Sequence, residues 1–180
     1  CSFTGNLYSY GRYYGQTADY KRENYYVHYY RYIYRYTIGS NGCVNTNYSS
    51  RTYVGNWYYS YGMDHHPSNE LILYGSDWRN HRVTKVTLNS SRNGTSSIKN
   101  VGRYGRGASK TGNVRMYYAW GLTVDKTNNR VLSTSYYKQS VNAFDLDLNF
   151  DKEFGGSAGT RMTGAHEAIQ SIVTDSSLTA

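Results

Sequence analysis

At residues 58–64 the chain reads Tyr58-Tyr59-Ser60-Tyr61-Gly62-Met63-Asp64, and at residues 117–125 it reads Tyr117-Tyr118-Ala119-Trp120-Gly121-Leu122-Thr123-Val124-Asp125. The second stretch repeats the first with two residues added. Weaker copies lie at residues 168–175 and 7–11. A segment that recurs every few tens of residues indicates similar structural units arranged in a stack or around an axis. Such architectures act through surfaces more often than through one catalytic cleft.

The residues between these repeated segments alternate in the manner of β-strands, and residues 23–38 read as one long Tyr-rich strand. Three stretches, 33–38, 83–88 and 141–146, align with apolar or aromatic residues at their first, fourth and sixth positions. Turn sequences such as Asn41-Gly42 and Asn93-Gly94 separate the strands. The sequence therefore predicts an all-β fold.

The repeat predicts a single repeat domain, with units at roughly 7–57, 58–116 and 117–167 and the start of a further unit at 168–180. Each unit has about the size of a four-stranded propeller blade with a long loop. We therefore expect β-propeller-like blade repeats of antiparallel strands, in a partial or small propeller. Three other arrangements also fit the repeat: a piece of a larger propeller, a protomer completed by neighbours, and blade-like hairpins in an open sandwich.

The third unit carries residues typical of a known repeat family. The stretches 121–125, 128–132, 141–145 and Phe154-Gly155 resemble the NHL repeat, and also the YWTD repeat of lipoprotein-receptor propellers. The resemblance covers about residues 58–175 and implies a propeller fold. In the second unit, Tyr74 and Asp77 stand at the first and last YWTD positions.

The chain also departs from that family. Gly75 and Ser76 replace the family's Trp and Thr, and the later unit keeps only a Thr within Leu132-Ser133-Thr134-Ser135. We therefore expect that the hydrogen bonds made by the family's Asp are absent from the later unit.

Tyrosine dominates the aromatic residues, with 23 Tyr against 4 Phe and 3 Trp, and seventeen of the Tyr lie at or before Tyr61. A Tyr ring buries apolar area while its hydroxyl keeps a polar contact, which suits binding surfaces. The formal net charge of +8 favours acidic, aromatic or carbohydrate-like partners. The expected contact residues are Tyr30, Tyr32, Tyr34, Tyr36, Arg31 and Arg35.

These features predict a non-enzymatic, extracellular binding or scaffold propeller that presents a Tyr- and Arg-rich surface to protein or glycan partners and self-associates. One alternative is a structural subunit of an extracellular filament or matrix. Another is an RNA-binding domain of the NHL type, favoured by the positive charge. A propeller lyase or lactonase would need a metal centre with several converging His, Asp or Glu, which the sequence does not assemble.

No catalytic residue, metal site or cofactor is expected. Residues 145–151 alternate oxygen-bearing side chains as a calcium loop does, but Phe150 stands where an EF-hand loop needs Gly, so a strand and turn are expected. Asp64-His65-His66 precedes a turn and is interpreted as an exposed loop. Neither a nucleophile elbow nor a phosphate-binding loop is found in the sequence.

The two cysteines, Cys1 and Cys43, are expected to form a disulfide in an oxidising compartment, although two thiols fit the count equally well. Sequons at Asn47, Asn89 and Asn93 agree with secretion, although this composition produces about as many by chance. No stretch approaches the roughly 20 apolar residues of a membrane helix. The first residue is Cys1 instead of Met, which favours a processed product.

Overall fold

The computed structural model describes residues 15–45 and 47–155. In this part of the chain all regular elements are strands, and most belong to three four-stranded antiparallel sheets. No apolar helix of bilayer-spanning length occurs among the residues described. The prediction of an all-β fold built from blade-like units is confirmed. The weak copies at 7–11 and 168–175 lie outside the described residues, and the unit boundaries stay a prediction.

Each sheet is a meander in which consecutive strands pair. The first sheet contains β1 (Gln16–Ala18), β2 (Asn24–Tyr29), β3 (Tyr32–Thr37) and β4 (Ser50–Tyr53). The second contains β5 (Met63–His65), β6 (Ile72–Asp77), β7 (Arg82–Leu88) and β8 (Thr95–Val101). Two short strands, β9 (Arg103–Tyr104) and β10 (Arg115–Met116), then pair in parallel. The third sheet contains β11 (Ala119–Asp125), β12 (Arg130–Ser135), β13 (Ser140–Asp145) and β14 (Phe150–Gly155).

Residues 23–38 form a hairpin, so the prediction of one continuous strand is wrong. β2 ends at Tyr29, which pairs with Tyr32 at the start of β3. The turn between them contains Tyr30 in the left-handed region, with φ of 58°. A turn without Gly, Asn or Asp leaves no sign in the sequence, because Tyr rarely adopts this conformation.

The two copies of the repeated segment occupy equivalent places, leading into β5 and β11. Tyr59 and Tyr118 both have positive φ, 49° and 60°. The Tyr58 amide donates to Asp77 Oδ1 at 3.2 Å, and the Tyr117 amide donates to Ser135 Oγ at 2.7 Å. The later unit has no Asp at this position, but the Ser135 hydroxyl accepts the equivalent bond in place of the carboxylate.

Glycines let the first strands of neighbouring sheets approach closely. A Cβ added to Gly62 in front of β5 would lie 2.2 Å from the Leu122 backbone nitrogen in β11. A Cβ on Gly15 in front of β1 would lie 3.0 Å from the Met63 backbone nitrogen in β5 and 2.7 Å from Met63 Cβ. The same position in successive units therefore makes the same backbone-to-backbone contact.

Asp64 joins the second sheet to the third. Its Oδ2 accepts hydrogen bonds from the Val124 amide at 2.8 Å and from Thr123 Oγ1 at 3.1 Å. Burial alone would raise the pKa of Asp64, but bonds from His65 and Val124 outweigh it and hold the pKa below its ordinary value. The interpretation of this stretch as an exposed loop is wrong, since Asp64 and His65 lie in β5 and His65 is buried.

Two apolar clusters fill the spaces between the sheets. Between the first and second sheets lie Tyr26, Ile33, Val54, Trp57, Met63, Leu73, Val86 and Leu88. Between the second and third lie Tyr74, Val83, Val114, Met116, Ala119, Leu122, Val124, Val131, Phe144 and Leu148. The sheets therefore stack face to face, and over the described residues they do not close into a ring.

Trp57 explains why Gly stands at position 75. A Cβ on Gly75 would lie 1.9 Å from Trp57 Cζ2, and the fully buried indole donates from Nε1 to the Ser76 carbonyl at 2.9 Å. The space that a side chain at position 75 would occupy is therefore filled by an indole from the segment before the second sheet, and not by a residue of β6.

Trp57 also stacks on His28, and this contact predicts a pH dependence of stability. The ring centroids lie 4.2 Å apart, and burial lowers the pKa of His28 from 6.5 to about 3, against a weaker opposing effect of the Trp57 backbone. Below about pH 6.5 the unfolded chain binds a proton that the folded protein excludes. As the pH decreases below about 6.5, the His28 contribution to the unfolding free energy therefore falls by about 1.4 kcal/mol per pH unit, until the pKa of the folded state is reached.

Urea unfolding at about pH 7.5 and about pH 5 measures this effect, with His28→Phe as the matched variant. We expect the unfolding free energy of the wild type to fall by about 2 kcal/mol more than that of the variant when the pH is lowered from the first value to the second. An equal loss in both proteins would contradict the assignment of the proton to His28.

Candidate ligand-binding face

Aromatic residues recur at equivalent positions where the three sheets end in turns. The first residue after the second strand is aromatic in every sheet, namely Tyr30, Trp78 and Tyr136. The residue before the glycine near the start of the first strand is also aromatic, Tyr61 in the second sheet and Trp120 in the third. Because successive units place these positions side by side, the rings meet at one end of the molecule.

The rings contact one another closely. Tyr61 and Trp120 stack with centroids 3.9 Å apart and planes 15° apart, and Trp78 and Tyr118 stack at 4.3 Å and 16°. Trp120 also stacks with Tyr136 at 4.8 Å. Such contacts hold each ring in one orientation. We call this surface the aromatic face, and it comprises Tyr30, Tyr58, Tyr59, Tyr61, Trp78, Tyr117, Tyr118, Trp120, Tyr136 and Tyr137.

A cleft of about 480 Å³ opens in the aromatic face between the second and third sheets. Its volume lies within the range of ordinary ligand sites, roughly 300–1,000 Å³. The lining residues are all Tyr or Trp: Tyr59, Tyr61, Trp78, Trp120, Tyr136 and Tyr137. The cleft therefore offers apolar ring surface together with phenol hydroxyls, and its lining carries no formal charge.

Arginines stand beside the aromatic face on two sides. The guanidinium groups of Arg31 and Arg79 lie 5.0 and 5.5 Å from the Tyr58 ring centroid, and Arg31 also donates to the Tyr58 hydroxyl. On the other side, the Arg106 guanidinium lies 4.8 Å from the Tyr117 ring. None of these three arginines forms an ion pair with a carboxylate of residues 15–45 or 47–155.

The carboxylates near this end are buried and paired. Asp77 is fully buried and lies 2.8 Å from Arg82 Nε, and burial raises its pKa despite the bonds from Asn80 and Arg82. Glu153 pairs with the buried Lys138. Six other described carboxylates lie at the turns on the opposite ends of the sheets: Asp19, Glu23, Glu70, Asp125, Asp145 and Asp147. The remaining two, Asp64 and Asp151, lie within β5 and β14. The aromatic face therefore presents positive charge alone among its described side chains.

Of the six contact residues expected from sequence, Tyr30 lies on the aromatic face and Arg31 stands beside it. Tyr30 is 50% exposed, and its ring packs edge-on against Tyr58 at 5.6 Å. Both residues occupy the turn between β2 and β3, which places them at the same end of the molecule as the cleft. Their role in binding stays a prediction.

The other four lie elsewhere in the first sheet. Tyr32 and Tyr34 are half-buried on the side of β3 that carries Tyr53 and Tyr48. Arg35, on the opposite side of β3, donates to Asn24 and Ser50. Tyr36 is only 2% exposed and is therefore not available to a partner. The six residues do not form one surface, because the hairpin turn removes Tyr30 and Arg31 from the strand.

The modification sites expected from sequence remain predictions. Cys1 lies outside the described residues, whereas Cys43 lies in the loop between β3 and β4. Asn47 and Asn93 are exposed. The side-chain amide of Asn89 donates to Asn93 Oδ1 at 2.9 Å and accepts from the Asn93 backbone amide at 3.1 Å. A glycan on Asn89 would therefore compete with the hydrogen bonds of this turn.

The oxygen-bearing side chains at residues 145–151 stabilise a turn. Asp145 accepts hydrogen bonds from the backbone amides of Asp147 and Asn149, both at 2.8 Å, and from Asn149 Nδ2 at 2.7 Å. These bonds occupy the carboxylate that a cation would need. Among the described residues, no three His, Cys, Asp or Glu side chains are grouped in a way that could hold a metal ion.

Comparison with known proteins supports the fold alone. Neither a protein-family model nor a curated protein matches the chain. Among solved structures, a functionally unknown protein from Desulfotomaculum acetoxidans is similar over 74% of this chain, with 10% identity and a TM-score of 0.52. The hydrazine synthase of Kuenenia stuttgartiensis is similar over 78%, with 8% identity and a TM-score of 0.53. The similar regions span 39% and 35% of those chains, and identities this low relate the present chain to them by fold only.

Proposed function

We propose that this protein is a non-enzymatic binding module that holds a glycan partner on the aromatic face. The observation that carries the proposal is the cleft lined by six Tyr and Trp side chains. The C–H groups on the face of a pyranose ring pack well against the negative face of an aromatic ring. The phenol hydroxyls supply donors and acceptors for sugar hydroxyls. An extracellular location, expected from the cysteines and sequons, agrees with such a ligand.

The stacked rings favour tight binding because they are ordered before a ligand arrives. Tyr61 is stacked on Trp120, and Trp78 on Tyr118, so closing the cleft on a sugar needs little further loss of side-chain freedom. Preorganisation of this kind lowers the entropic cost of association. A protein loop is the runner-up ligand, since Tyr, Trp and Arg are also the residues that dominate protein interfaces.

Trp120→Ala is expected to weaken oligosaccharide binding about tenfold or more, because it removes one wall of the cleft and the ring that supports Tyr61. The measurement is an oligosaccharide array followed by calorimetric titration of the strongest binder. Trp120→Phe, which keeps a ring, should recover part of the affinity. Tyr20→Ala is the control, because Tyr20 is 41% exposed and lies in the turn between β1 and β2, away from the aromatic face.

The proposal is contradicted if no oligosaccharide binds, or if Trp120→Ala binds as the wild type does. Urea unfolding of each variant separates lost binding from lost folding. A protein captured by the wild type and not by Trp120→Ala, in the absence of any oligosaccharide binding, would favour the runner-up ligand.

A second candidate is a structural subunit of an extracellular assembly. It is supported by the three sheets, which do not close into a ring over the described residues, and by Tyr53, which is exposed on the side of the first sheet that faces away from the second. Open sheet edges and faces can join copies of a chain. Molar mass in solution distinguishes a subunit of this kind from a monomeric binding module.

A further inference from the structure

We propose that the glycan is acidic, with pyranose rings seated in the cleft and carboxylate or sulfate groups held by Arg31 and Arg79 on one side and by Arg106 on the other. This inference rests on the proposed function and names the ligand class of the same face.

The arginines lie on a continuous path of rings that passes through the cleft. Arg31 and Arg79 both contact Tyr58, and the Tyr58 ring lies 6.5 Å from the ring of Tyr59, which lines the cleft. On the far side Arg106 contacts Tyr117, whose ring lies 5.1 Å from that of the lining residue Tyr137. A linear polymer that follows this path therefore meets a guanidinium group on each side of the cleft.

The three arginines on this path form no ion pair with a carboxylate of the described residues. Arg31 and Arg79 both approach the Tyr58 ring, which places two positive charges on the same side of the cleft. A planar guanidinium binds carboxylate and sulfate oxygens with two parallel hydrogen bonds. Six carboxylates lie at the opposite ends of the sheets, where Lys21, Lys85 and Arg92 pair with two of them, so they do not repel an anion held at the aromatic face.

Single-stranded nucleic acid is the competing polyanion, because it also combines rings with negative charge. Its phosphates repeat at every nucleotide and need cations along the whole path. Here the lining of the cleft is uncharged, and the arginines stand only beside it. Sparse charges on both sides of a neutral cleft suit a sugar polymer better.

The test is a titration of the full chain with an oligogalacturonate hexamer, its fully methyl-esterified form, a sulfated hexasaccharide and a uridine hexanucleotide. We expect an acidic oligosaccharide to bind at least tenfold more tightly than the neutral ester, with an affinity that falls as salt is added. Comparing the first and third probes tells carboxylate from sulfate recognition.

Substitution of the arginines tests the same point from the side of the protein. Arg79→Gln with Arg106→Gln should weaken acidic binding about tenfold and weaken binding of the neutral ester much less. Arg51→Gln is the matched control, because Arg51 also contacts a Tyr ring, that of Tyr32 at 5.2 Å, but lies outside the aromatic face.

The outcomes separate the inference from the proposed function. If the acidic hexamer and its methyl ester bind equally well, and Trp120→Ala binds neither, the acidic ligand is overturned and the proposed glycan binding stands. Tighter binding of the hexanucleotide than of any sugar overturns the inference in favour of nucleic acid. No binding of any oligosaccharide overturns both proposals.

Discussion

Gly62→Ala is expected to lower the unfolding free energy by about 3 kcal/mol or more. The added Cβ would lie 2.2 Å from the Leu122 nitrogen and 2.9 Å from the Gly121 carbonyl carbon. Both are backbone atoms of the neighbouring sheet, so no side-chain rotation relieves the clash. The first strands of the second and third sheets would have to separate, which disturbs the apolar cluster around Leu122 and Val124.

Urea unfolding of the purified variant measures this loss, with Gly107→Ala as the control. A Cβ on Gly107 meets nothing within 4 Å, so the control should differ from the wild type by no more than about 0.5 kcal/mol. If Gly62→Ala were as stable as Gly107→Ala, the close approach of the first strands would be wrong. The stacking of the sheets would then need revision.

Lys138→Met is expected to cost about 3–5 kcal/mol, because it leaves a buried carboxylate without its cation. Lys138 and Glu153 form an ion pair in which the side chains are 1% and 9% exposed. The ammonium group also donates to Ser109 Oγ and to the Arg115 carbonyl, both at 3.1 Å. The pair therefore holds the segment between the second and third sheets against β14.

Two comparisons decide whether the unpaired charge causes the loss. Combining Lys138→Met with Glu153→Leu removes both charges and should recover most of the stability. Arg130→Met, in a pair 3.9 Å long with side chains 32% and 49% exposed, should cost less than about 1 kcal/mol. A loss in Lys138→Met no larger than that in Arg130→Met would contradict the buried pair.

The repeated segment and the strand-like alternation between its copies were sufficient to predict the all-β fold, because the two copies precede equivalent sheets. The hairpin in the first sheet could not be predicted in the same way. Tyr30 adopts a left-handed conformation that its neighbours impose, and no local preference of Tyr indicates it. The bond from the Tyr117 amide to Ser135 was missed because a hydroxyl and a carboxylate look different in a sequence but both accept from an amide.

The candidate site was predicted from the density of tyrosines in the first third of the chain, whereas the cleft lies between the second and third sheets. Its lining comes from four short stretches that are distant in sequence: 59–61, 78, 120 and 136–137. Each stretch contains only one or two rings, so composition does not single it out. The signal that could have found them is positional, because Trp78 and Tyr136 occupy equivalent places in their units.

The central claim is that ligands bind on the aromatic face, and the three tryptophans test it directly. Trp78 and Trp120 line the cleft, whereas Trp57 is fully buried between the first and second sheets. The measurement is a nitrogen-15 spectrum of the indole N–H groups during titration with the strongest-binding oligosaccharide. We predict that the signals of Trp78 and Trp120 shift while that of Trp57 stays in place. Binding without a shift of Trp78 and Trp120, or with a shift of Trp57 alone, would contradict the account.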